Sequence, residues 1–303
     1  MANRDAQDDE IDGIRLTHPE KVLFAGAAIT KLDLAEYLVT VGERMLAHVS
    51  GRPLSLVRCP EGTAKECFFQ KHMSKGMPPA LKSVPVEEDN GKVAQYLMID
   101  SAAGLVGAAQ IGGLEIHLWG CHWKTLEHPD RMVFDLDPDG GLTFADVREA
   151  ARDVRKLLQA ANLESFALVT GGKGIHVVVP LDASQGWDEV KAFAKGVAVR
   201  LAETEPGRFV ATMSKAKRKG RIFIDWLRNE RGSTAIAPYS PRAKPMASVA
   251  TPVAWAELSR IEAANEFTIP TVLRRLQQLK SDPWKGYFSV RQSIGRKAAQ
   301  FFA

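Results

Sequence analysis

The sequence has few of the features that mark fibrous, disordered or membrane proteins. No apolar run approaches the roughly 18 consecutive residues that a membrane-spanning helix needs, and there is no low-complexity segment or internal repeat. The start of the chain is polar and acidic and lacks the apolar stretch of a signal peptide. We therefore expect a globular, cytoplasmic protein that does not bind membranes.

Cysteine is also scarce, with only Cys59, Cys67 and Cys121 among the 303 residues. An odd number of cysteines in a long chain is typical of a reducing compartment rather than of a disulfide framework. Combining them with His72 or His122 gives no standard zinc spacing, and no CxxC pair is present. We expect ordinary core or surface cysteines.

The net charge is small, since 40 Lys and Arg residues face 36 Asp and Glu residues. Overall charge therefore does not by itself indicate a nucleic-acid partner. The length and the 45% apolar content suffice for one large domain or two packed lobes. We predict a disordered head at residues 1–14 and a single catalytic domain of two packed lobes at residues 15–303.

Apolar periodicity predicts a mixed α/β protein with largely antiparallel pairing. Residues 131–137 alternate as in a strand, and the runs 166–170 and 175–180 flank a glycine-rich turn, which is typical of a hairpin. Helical spacing follows Thr143 and recurs at about 187–203 and 271–279. Two further residues have the character of helix N-caps, and the stretch 82–94 has that of a loop or hairpin tip. The two caps are Thr30 and Ser101.

Acidic residues interrupt two of the predicted strands. Asp135 and Asp137 stand two apart, so both carboxylates leave the same face about 7 Å apart along the strand. Asp225 ends the apolar run that begins at Ile222. Three such acids suit a phosphoryl-transfer centre that uses two divalent cations. The alternatives are solvated loop acids and, for Asp225, a salt bridge to a neighbouring arginine at position 221 or 228.

A glycine-rich segment supplies the matching anion-binding features. It runs from Thr170 through Lys173 to His176, and its glycines would let backbone N–H groups approach phosphate oxygens. The spacing is not that of a Walker A loop. A purely structural hairpin with an ordinary strand histidine is the alternative.

Basic and aromatic residues elsewhere have the character of DNA contacts. Residues 215–221 carry five positive charges, including Lys217, Arg218 and Lys219, which suit a nucleic-acid backbone or a solvated surface. Phe68 and Phe69 precede a basic segment that begins at Lys71. Strand alternation would place one ring in the core and leave the other free to stack on a base, unless both are core residues.

Four motifs in this order resemble one family. They are Phe-Asp-Leu-Asp-Pro at 134–138, Thr-Gly-Gly-Lys-Gly-Ile-His-Val at 170–177, Ala-Thr-Met-Ser-Lys-Ala-Lys-Arg-Lys-Gly-Arg-Ile-Phe-Ile-Asp at 211–225, and Ala-Pro-Tyr-Ser-Pro-Arg at 237–242. The chain resembles the primase-polymerase domain of bacterial ligase D, in the archaeo-eukaryotic primase superfamily. The resemblance covers nearly the whole chain and implies a primase-like fold of mixed, largely antiparallel sheets flanked by helices, with the active site in a central cleft.

The resemblance also implies roles for individual residues. Asp135, Asp137 and Asp225 would be catalytic and would hold two divalent cations, Mn²⁺ in preference to Mg²⁺. Thr170, Lys173, His176 and Arg242 would hold the nucleoside triphosphate. Lys21 and Lys31 would bind a downstream 5′-phosphate. Further DNA contacts would come from two stacking rings, Phe68 and Phe69, and from four basic residues, Lys71, Lys217, Arg218 and Lys219.

The family resemblance implies an end-joining repair polymerase that adds ribo- or deoxynucleotides, with or without a template, at gaps and broken ends. Its partners would be DNA ends, gapped DNA with a 5′-phosphate, nucleoside triphosphates, the Ku protein, and ligase and nuclease domains in cis or in trans. The loop at 82–94 would help to align two ends. A phosphatase with Asp135 as nucleophile and a non-catalytic binder of DNA ends are the alternatives.

Overall fold

The computed structural model describes residues 10–302. The strands in chain order are β1 (Glu10–Ile11), β2 (Ile14–Arg15), β3 (Val22–Phe24), β4 (Ile29–Thr30), β5 (Leu54–Arg58), β6 (Phe68–Gln70), β7 (Lys82–Glu87), β8 (Val93–Met98), β9 (Gly113–Trp119), β10 (Arg131–Pro138), β11 (Phe166–Val169), β12 (Ile175–Pro180), β13 (Phe209–Val210), β14 (Ile222–Asp225), β15 (Thr234–Ile236) and β16 (Thr251–Val253). The helices are α1 (Lys31–Thr40), α2 (Gly42–Val49), α3 (Ala102–Gln110), α4 (Phe144–Ala160), α5 (Trp187–Thr204), α6 (Ile269–Gln278) and α7 (Arg296–Phe301).

The chain divides into two compact units. The first takes in the chain up to Leu118, together with Ile236–Val249 and Thr268–Gln277. Within it the strands follow the order β9-β5-β8-β7, with β6 paired to β5, and helices α1, α2 and α3 contact one another. This sheet presents the β5–β6 and β7–β8 hairpins.

The second unit takes in Trp119–Ala235, Ala250–Phe267 and the chain from Gln278 onward. Its sheet has the order β13-β14-β10-β12-β11-β16, and every pair is antiparallel except β13 with β14. Helices α4 and α5 contact this sheet, and α4 buries one apolar stripe. The strand β10 pairs with β12 on one side and with β14 on the other. The positions of its side chains are therefore fixed relative to those of both neighbouring strands.

Local signals in the sequence account for most of these elements. Thr30, Ser101 and Thr143 cap α1, α3 and α4 through side-chain acceptors. The predicted hairpin around the glycine-rich turn is β11–β12. The mixed α/β, largely antiparallel class is confirmed. Among the described residues, no helix is long and apolar enough to cross a membrane.

Two local expectations need correction. The stretch 82–94 is mostly strand, because Val84 and Val86 alternate inward, and only residues 88–92 form the hairpin tip. Cys59 and Cys67, which we expected to be ordinary thiols, form a disulfide, while Cys121 is buried outside it. The eight-residue separation and their positions at the ends of two paired strands bring these cysteines together.

The predicted disordered head lies only in part within the described residues. Residues 1–9 lie outside them. From Glu10 the chain forms a small antiparallel ribbon of β1 and β2.

Candidate active site

Sheet register gathers the acidic residues on one face of the second unit. Asp135 on β10 lies directly opposite Asp225 on β14, and opposite His176 on β12. Residues that face each other across paired strands point to the same side of a sheet, and so do residues two apart on one strand. The carboxylates of Asp135, Asp137 and Asp225 therefore share a face.

Two arginines neutralise these carboxylates. Arg228 lies 3.1 Å from Asp135 through Nη2 and 3.2 Å from Asp225 through Nε. Arg218 lies 3.3 Å from the Oδ2 of Asp137. The salt bridge weighed as an alternative for Asp225 is thus present at Arg228, and the same guanidinium also binds Asp135.

The ionisation of the three acids reflects this crowding. Burial opposes ionisation of Asp135, but the charges and hydrogen bonds of His176 and Arg228 outweigh it and lower its pKa. Burial and the negative charge of Asp135 raise the pKa of Asp137. The pKa of Asp225 is also raised, by burial and by Asp135 against the opposing effect of Arg228. Additional positive charge at this face would favour the fully ionised site.

The donor set suits divalent cations, although it is not a closed metal site as it stands. No group of three or more His, Cys, Asp or Glu side chains among residues 10–302 is gathered closely enough to hold a metal ion. Arg218 and Arg228 instead pair with the carboxylates of these aspartates. Clustered carboxylate oxygens that need positive compensation are nevertheless the ligands that Mg²⁺ and Mn²⁺ prefer.

The glycine-rich turn lies against the acidic strand. A Cβ on Gly174 would come 2.1 Å from the carbonyl oxygen of Leu136, so only glycine allows β12 to start this close to β10. The Thr170 hydroxyl donates to the Gly174 carbonyl oxygen at 2.9 Å and accepts from the Gly172 N–H at 3.3 Å. Thr170 thus closes the turn, while the Lys173 side chain is exposed. Hydrogen bonds from the Gly220 and Gly140 N–H groups lower the pKa of Asp139, and the charge of Lys173 adds a smaller effect in the same direction.

The basic run reaches the acids through one residue. Residues 215–218 form a 3₁₀ turn, in which Arg218 is partly buried and Lys217 is exposed. The Arg218 guanidinium also lies 3.8 Å from the centre of the Phe223 ring, directly across from Asp137 in the strand register. Lys219 is exposed beside it. Arg218 therefore belongs to the acidic centre and its two lysine neighbours face solvent.

The fourth residue predicted to bind nucleotide, Arg242, lies in the first unit. Its Nε is 3.2 Å from the Glu115 carboxylate, which also accepts from the Ala243 N–H at 2.7 Å and lies 2.7 Å from the His117 ring. Burial opposes ionisation of Glu115, but His117 and Arg242 prevail and lower its pKa to about 2. Glu115 therefore fixes the position of Arg242.

The predicted phosphate lysines lie close together in the first unit. Lys31 is buried at the start of α1 and donates to the Thr17 carbonyl oxygen. Burial and the nearby charge of Lys21 lower the pKa of Lys31. Lys21 pairs with Glu61 at 2.7 Å. Two ammonium groups that repel each other favour a shared anion.

Both predicted stacking residues are exposed. Phe68 is 45% and Phe69 71% exposed, so neither is a core residue and the expected division between one core and one free ring is wrong. The strand β6 pairs with β5, and the rings on both of its faces remain open to solvent. Lys71 lies 2.8 Å from Glu88, at the tip of the neighbouring hairpin.

Sequence reasoning missed several residues of these clusters. Asn229 is buried and exchanges hydrogen bonds with the backbone N–H and carbonyl of Val133 at 2.7 and 2.8 Å, which fastens the segment of Arg228 to β10. Glu115 and His117 were not singled out either. Both are polar residues at alternate positions of an otherwise apolar strand, and this pattern could have identified them from the sequence.

Comparison with known proteins finds similar sequences over most of the chain. A family model for the LigD primase-polymerase domain matches residues 30–284. The multifunctional non-homologous end joining protein LigD of Pseudomonas aeruginosa is 40% identical over 283 residues, 93% of this chain and 34% of that protein. The LigD of Mycobacterium tuberculosis, described as a DNA repair protein, is 37% identical over 273 residues, 87% of this chain and 35% of that protein.

One solved structure is similar over almost the whole chain. The polymerase domain of Mycobacterium tuberculosis ligase D, determined in complex with DNA, superposes with a TM-score of 0.84 at 34% identity. The match covers 91% of this chain and 98% of that one. The chain spans about a third of the length of the curated relatives that it matches.

Proposed function

This chain belongs to the LigD primase-polymerase family and so is a nucleotidyltransferase, and from that premise we propose that it fills gaps and extends broken ends in DNA end joining. It would add ribo- or deoxynucleotides to a primer 3′-hydroxyl, with or without a template. The observation that carries this proposal is the register of Asp135 against Asp225, which gives the polymerase family's acids one shared face.

Asp135, Asp137 and Asp225 would hold the two divalent cations, Mn²⁺ in preference to Mg²⁺. When bound, these cations supply an activated 3′-hydroxyl and neutralise the triphosphate and the departing pyrophosphate. The side chains of the protein position the reacting groups and neutralise the charge of the triphosphate. His176 orients Asp135, at 3.4 Å from its Oδ1, and Lys173 offers an exposed ammonium group beside the acids.

Nucleotide binding would use Thr170, Lys173, His176 and Arg242. Thr170 acts through the turn that it closes, since its hydroxyl already bonds the Gly174 carbonyl. Arg242 is held by Glu115 with its guanidinium partly exposed, which suits contact with a phosphate oxygen.

DNA binding would use two sets of residues. Lys21 and Lys31 would bind the 5′-phosphate of the downstream strand, and the exposed rings of Phe68 and Phe69 would stack on template bases. Lys71, Lys217, Arg218 and Lys219 would meet the backbone, so that affinity falls steeply with salt. The Ku protein, and ligase and nuclease domains in cis or in trans, would be the protein partners.

A gapped duplex tests the function directly. We expect extension by one or a few nucleotides in Mn²⁺, more in Mn²⁺ than in Mg²⁺, with pyrophosphate released, and faster when the downstream strand carries a 5′-phosphate. The ribo- and deoxynucleoside triphosphates are compared in parallel reactions. Asp137→Ala should reduce extension by at least about 100-fold.

The same assay separates the alternatives. Hydrolysis of a simple phosphomonoester without nucleotide addition would favour a phosphatase. Tight DNA binding with no extension in either cation would favour a non-catalytic end binder. Full extension by Asp137→Ala would show that the acidic centre is assigned wrongly.

A further inference from the structure

The disulfide closes the loop that joins β5 to β6. Cys59 follows β5 directly and Cys67 precedes β6 directly. The Cys59 side chain is fully buried, whereas Cys67 is only partly buried. The polymerase chemistry proposed above uses neither residue.

The loop inside the disulfide is attached to the segment that carries Lys21. The Glu61 carboxylate binds the Lys21 ammonium group at 2.7 Å, and the Thr63 N–H donates to the Leu23 carbonyl oxygen at 2.7 Å. A Cβ on Gly62 would come 2.8 Å from the Val22 carbonyl oxygen. The loop backbone therefore lies directly against β3.

The other end of the disulfide leads into the exposed aromatic pair. Phe68 follows Cys67 without an intervening residue, and its ring lies 5.3 Å from the Arg58 guanidinium carbon. Phe69 makes an edge contact with the His117 ring at 5.8 Å. The disulfide therefore constrains a loop that contacts the Lys21 segment at one point and leads directly into Phe68 and Phe69 at its end.

We propose that Cys59 and Cys67 form a redox-modification site whose state sets the affinity for a phosphorylated downstream DNA end. Its reactants are small dithiols as reductants and peroxides as oxidants. The physical reason is that the disulfide restricts the conformations of a short, polar, solvent-facing loop, and that reduction restores them. The inference rests on the proposed roles of Lys21, Phe68 and Phe69.

Reduction would begin at Cys67, the less buried of the two cysteines. A thiolate of the dithiol attacks the Cys67 Sγ, forming a mixed disulfide, while the bond to Cys59 breaks and Cys59 leaves as a thiolate that takes up a proton. The second thiolate of the reductant then attacks the reductant sulfur that is bonded to Cys67. The Cys67 thiolate leaves and takes up a proton. Two electrons pass from the dithiol to the cysteine pair, and the dithiol becomes a cyclic disulfide.

Hydrogen peroxide reoxidises the pair, and two electrons then pass from the cysteines to the peroxide. The Cys67 thiolate attacks one peroxide oxygen, giving a sulfenic acid, and the displaced hydroxide takes up a proton to become water. The Cys59 thiol then condenses with the sulfenic acid, which forms the disulfide and releases a second water. Two thiols and one peroxide therefore give one disulfide and two waters.

The test compares DNA binding by the oxidised and reduced protein. Alkylation followed by intact mass measurement confirms each state. Fluorescence anisotropy gives the Kd for a gapped duplex with a downstream 5′-phosphate and for the same duplex with a 5′-hydroxyl. We expect reduction to weaken the preference for the phosphate by about five-fold, on the scale of one lost contact, and to change extension of an open primer-template by less than about two-fold.

Variants make the outcome specific. Cys59→Ser with Cys67→Ser should behave as the reduced protein and should ignore both reductant and peroxide. Cys121→Ser, at the third cysteine, should keep the full response. Because the Cys59→Ser change would bury a hydroxyl in place of sulfur and could disturb folding, Cys67→Ser alone is measured as well, with circular dichroism to confirm the fold.

Three results would overturn the proposal. They are equal phosphate preference in the two verified states, a redox response that persists in the folded cysteine variants, and cysteines that stay reduced under peroxide. The first of these results, found in a protein that still extends primers, leaves the polymerase assignment intact. A protein that extends no primer contradicts the proposed function itself.

Discussion

The acidic centre of the second unit and the proposed DNA-end residues of the first unit are positioned in different ways. Asp135, Asp225 and His176 stand directly opposite one another on three adjacent strands of a buried sheet. Lys21 and Phe69 stand beside or on strands of three residues, and the partner of Lys21 is an exposed glutamate. Reacting groups need fixed distances, which sheet register provides, whereas groups that capture a DNA end need access to solvent.

The largest expected effect separates catalysis from end binding. Asp225→Asn removes one charge from the shared acidic face but keeps the shape of the side chain. We expect at least about a 100-fold loss of extension, because a proposed cation ligand is lost. The affinity for a 5′-phosphorylated gapped duplex should stay within about two-fold of the wild type, since the end-binding residues are unchanged.

Asp139→Asn is the matched control, because Asp139 lies just beyond Asp137 and accepts from the Gly220 N–H at 2.8 Å, which an amide oxygen can also do. It should extend primers at nearly the wild-type rate. Equal losses in both variants, measured as single-turnover extension, would mean that general negative charge matters here rather than the register of Asp225.

An intermediate effect is expected where two strands approach most closely. Gly174→Ala would place a Cβ 2.1 Å from the Leu136 carbonyl oxygen, so the start of β12 must move away from β10. We expect a loss of about 1–3 kcal/mol in the free energy of unfolding, and slower extension because His176 moves with its strand. Urea denaturation and single-turnover extension measure the two effects.

Gly141→Ala is the control for this change, since nothing lies within 4 Å of a Cβ at that glycine. Its free energy of unfolding and its rate of extension should be close to those of the wild type. Equal destabilisation by the two alanines would mean that glycine matters here for backbone freedom and not for the approach of the two strands.

Period-two alternation explains why the acidic centre could be predicted from the sequence. Polar residues that interrupt apolar strands, such as Asp135 and Asp225, are visible in one sequence because burial of a charge needs a functional or structural reason. The pairing of the two strands was not visible, since register depends on contacts between distant segments. Arg228 was noticed only as a possible salt-bridge partner of Asp225, and its contact with Asp135 depends on that same register.

The end region was harder to predict for a related reason. The Cys59–Cys67 disulfide contradicted the expectation drawn from an odd cysteine count, because that count says nothing about which strand ends meet. The exposure of both Phe68 and Phe69 depends on what packs against each face of β6, which alternation within one strand cannot show. Motif resemblance assigned roles to these residues, but their surroundings had to come from the structure.

The smallest expected effect lies at the exposed ion pair of the end region. Glu61→Gln removes the carboxylate that lies 2.7 Å from the Lys21 ammonium group, which frees that lysine for a DNA phosphate. Because exposed pairs are weak and screened by salt, we expect no more than about a three-fold gain in affinity for the 5′-phosphorylated gap. The loop should stay in place through Thr63, whose bond to β3 is unchanged.

The pH dependence of that gain identifies its cause. The hydrogen bond and charge of Lys21 lower the pKa of Glu61 from its ordinary 4.5, so the carboxylate is ionised throughout pH 5–8 and the pair is lost only as the pH falls through the lowered pKa. The difference between the variant and the wild type should therefore be constant from pH 7 to 8 in anisotropy titrations, a range in which the 5′-phosphate, whose second pKa is about 6, also stays mostly dianionic. Glu66→Gln removes the same charge from the same loop, and an equal gain in that control would assign the effect to general repulsion of DNA rather than to Lys21.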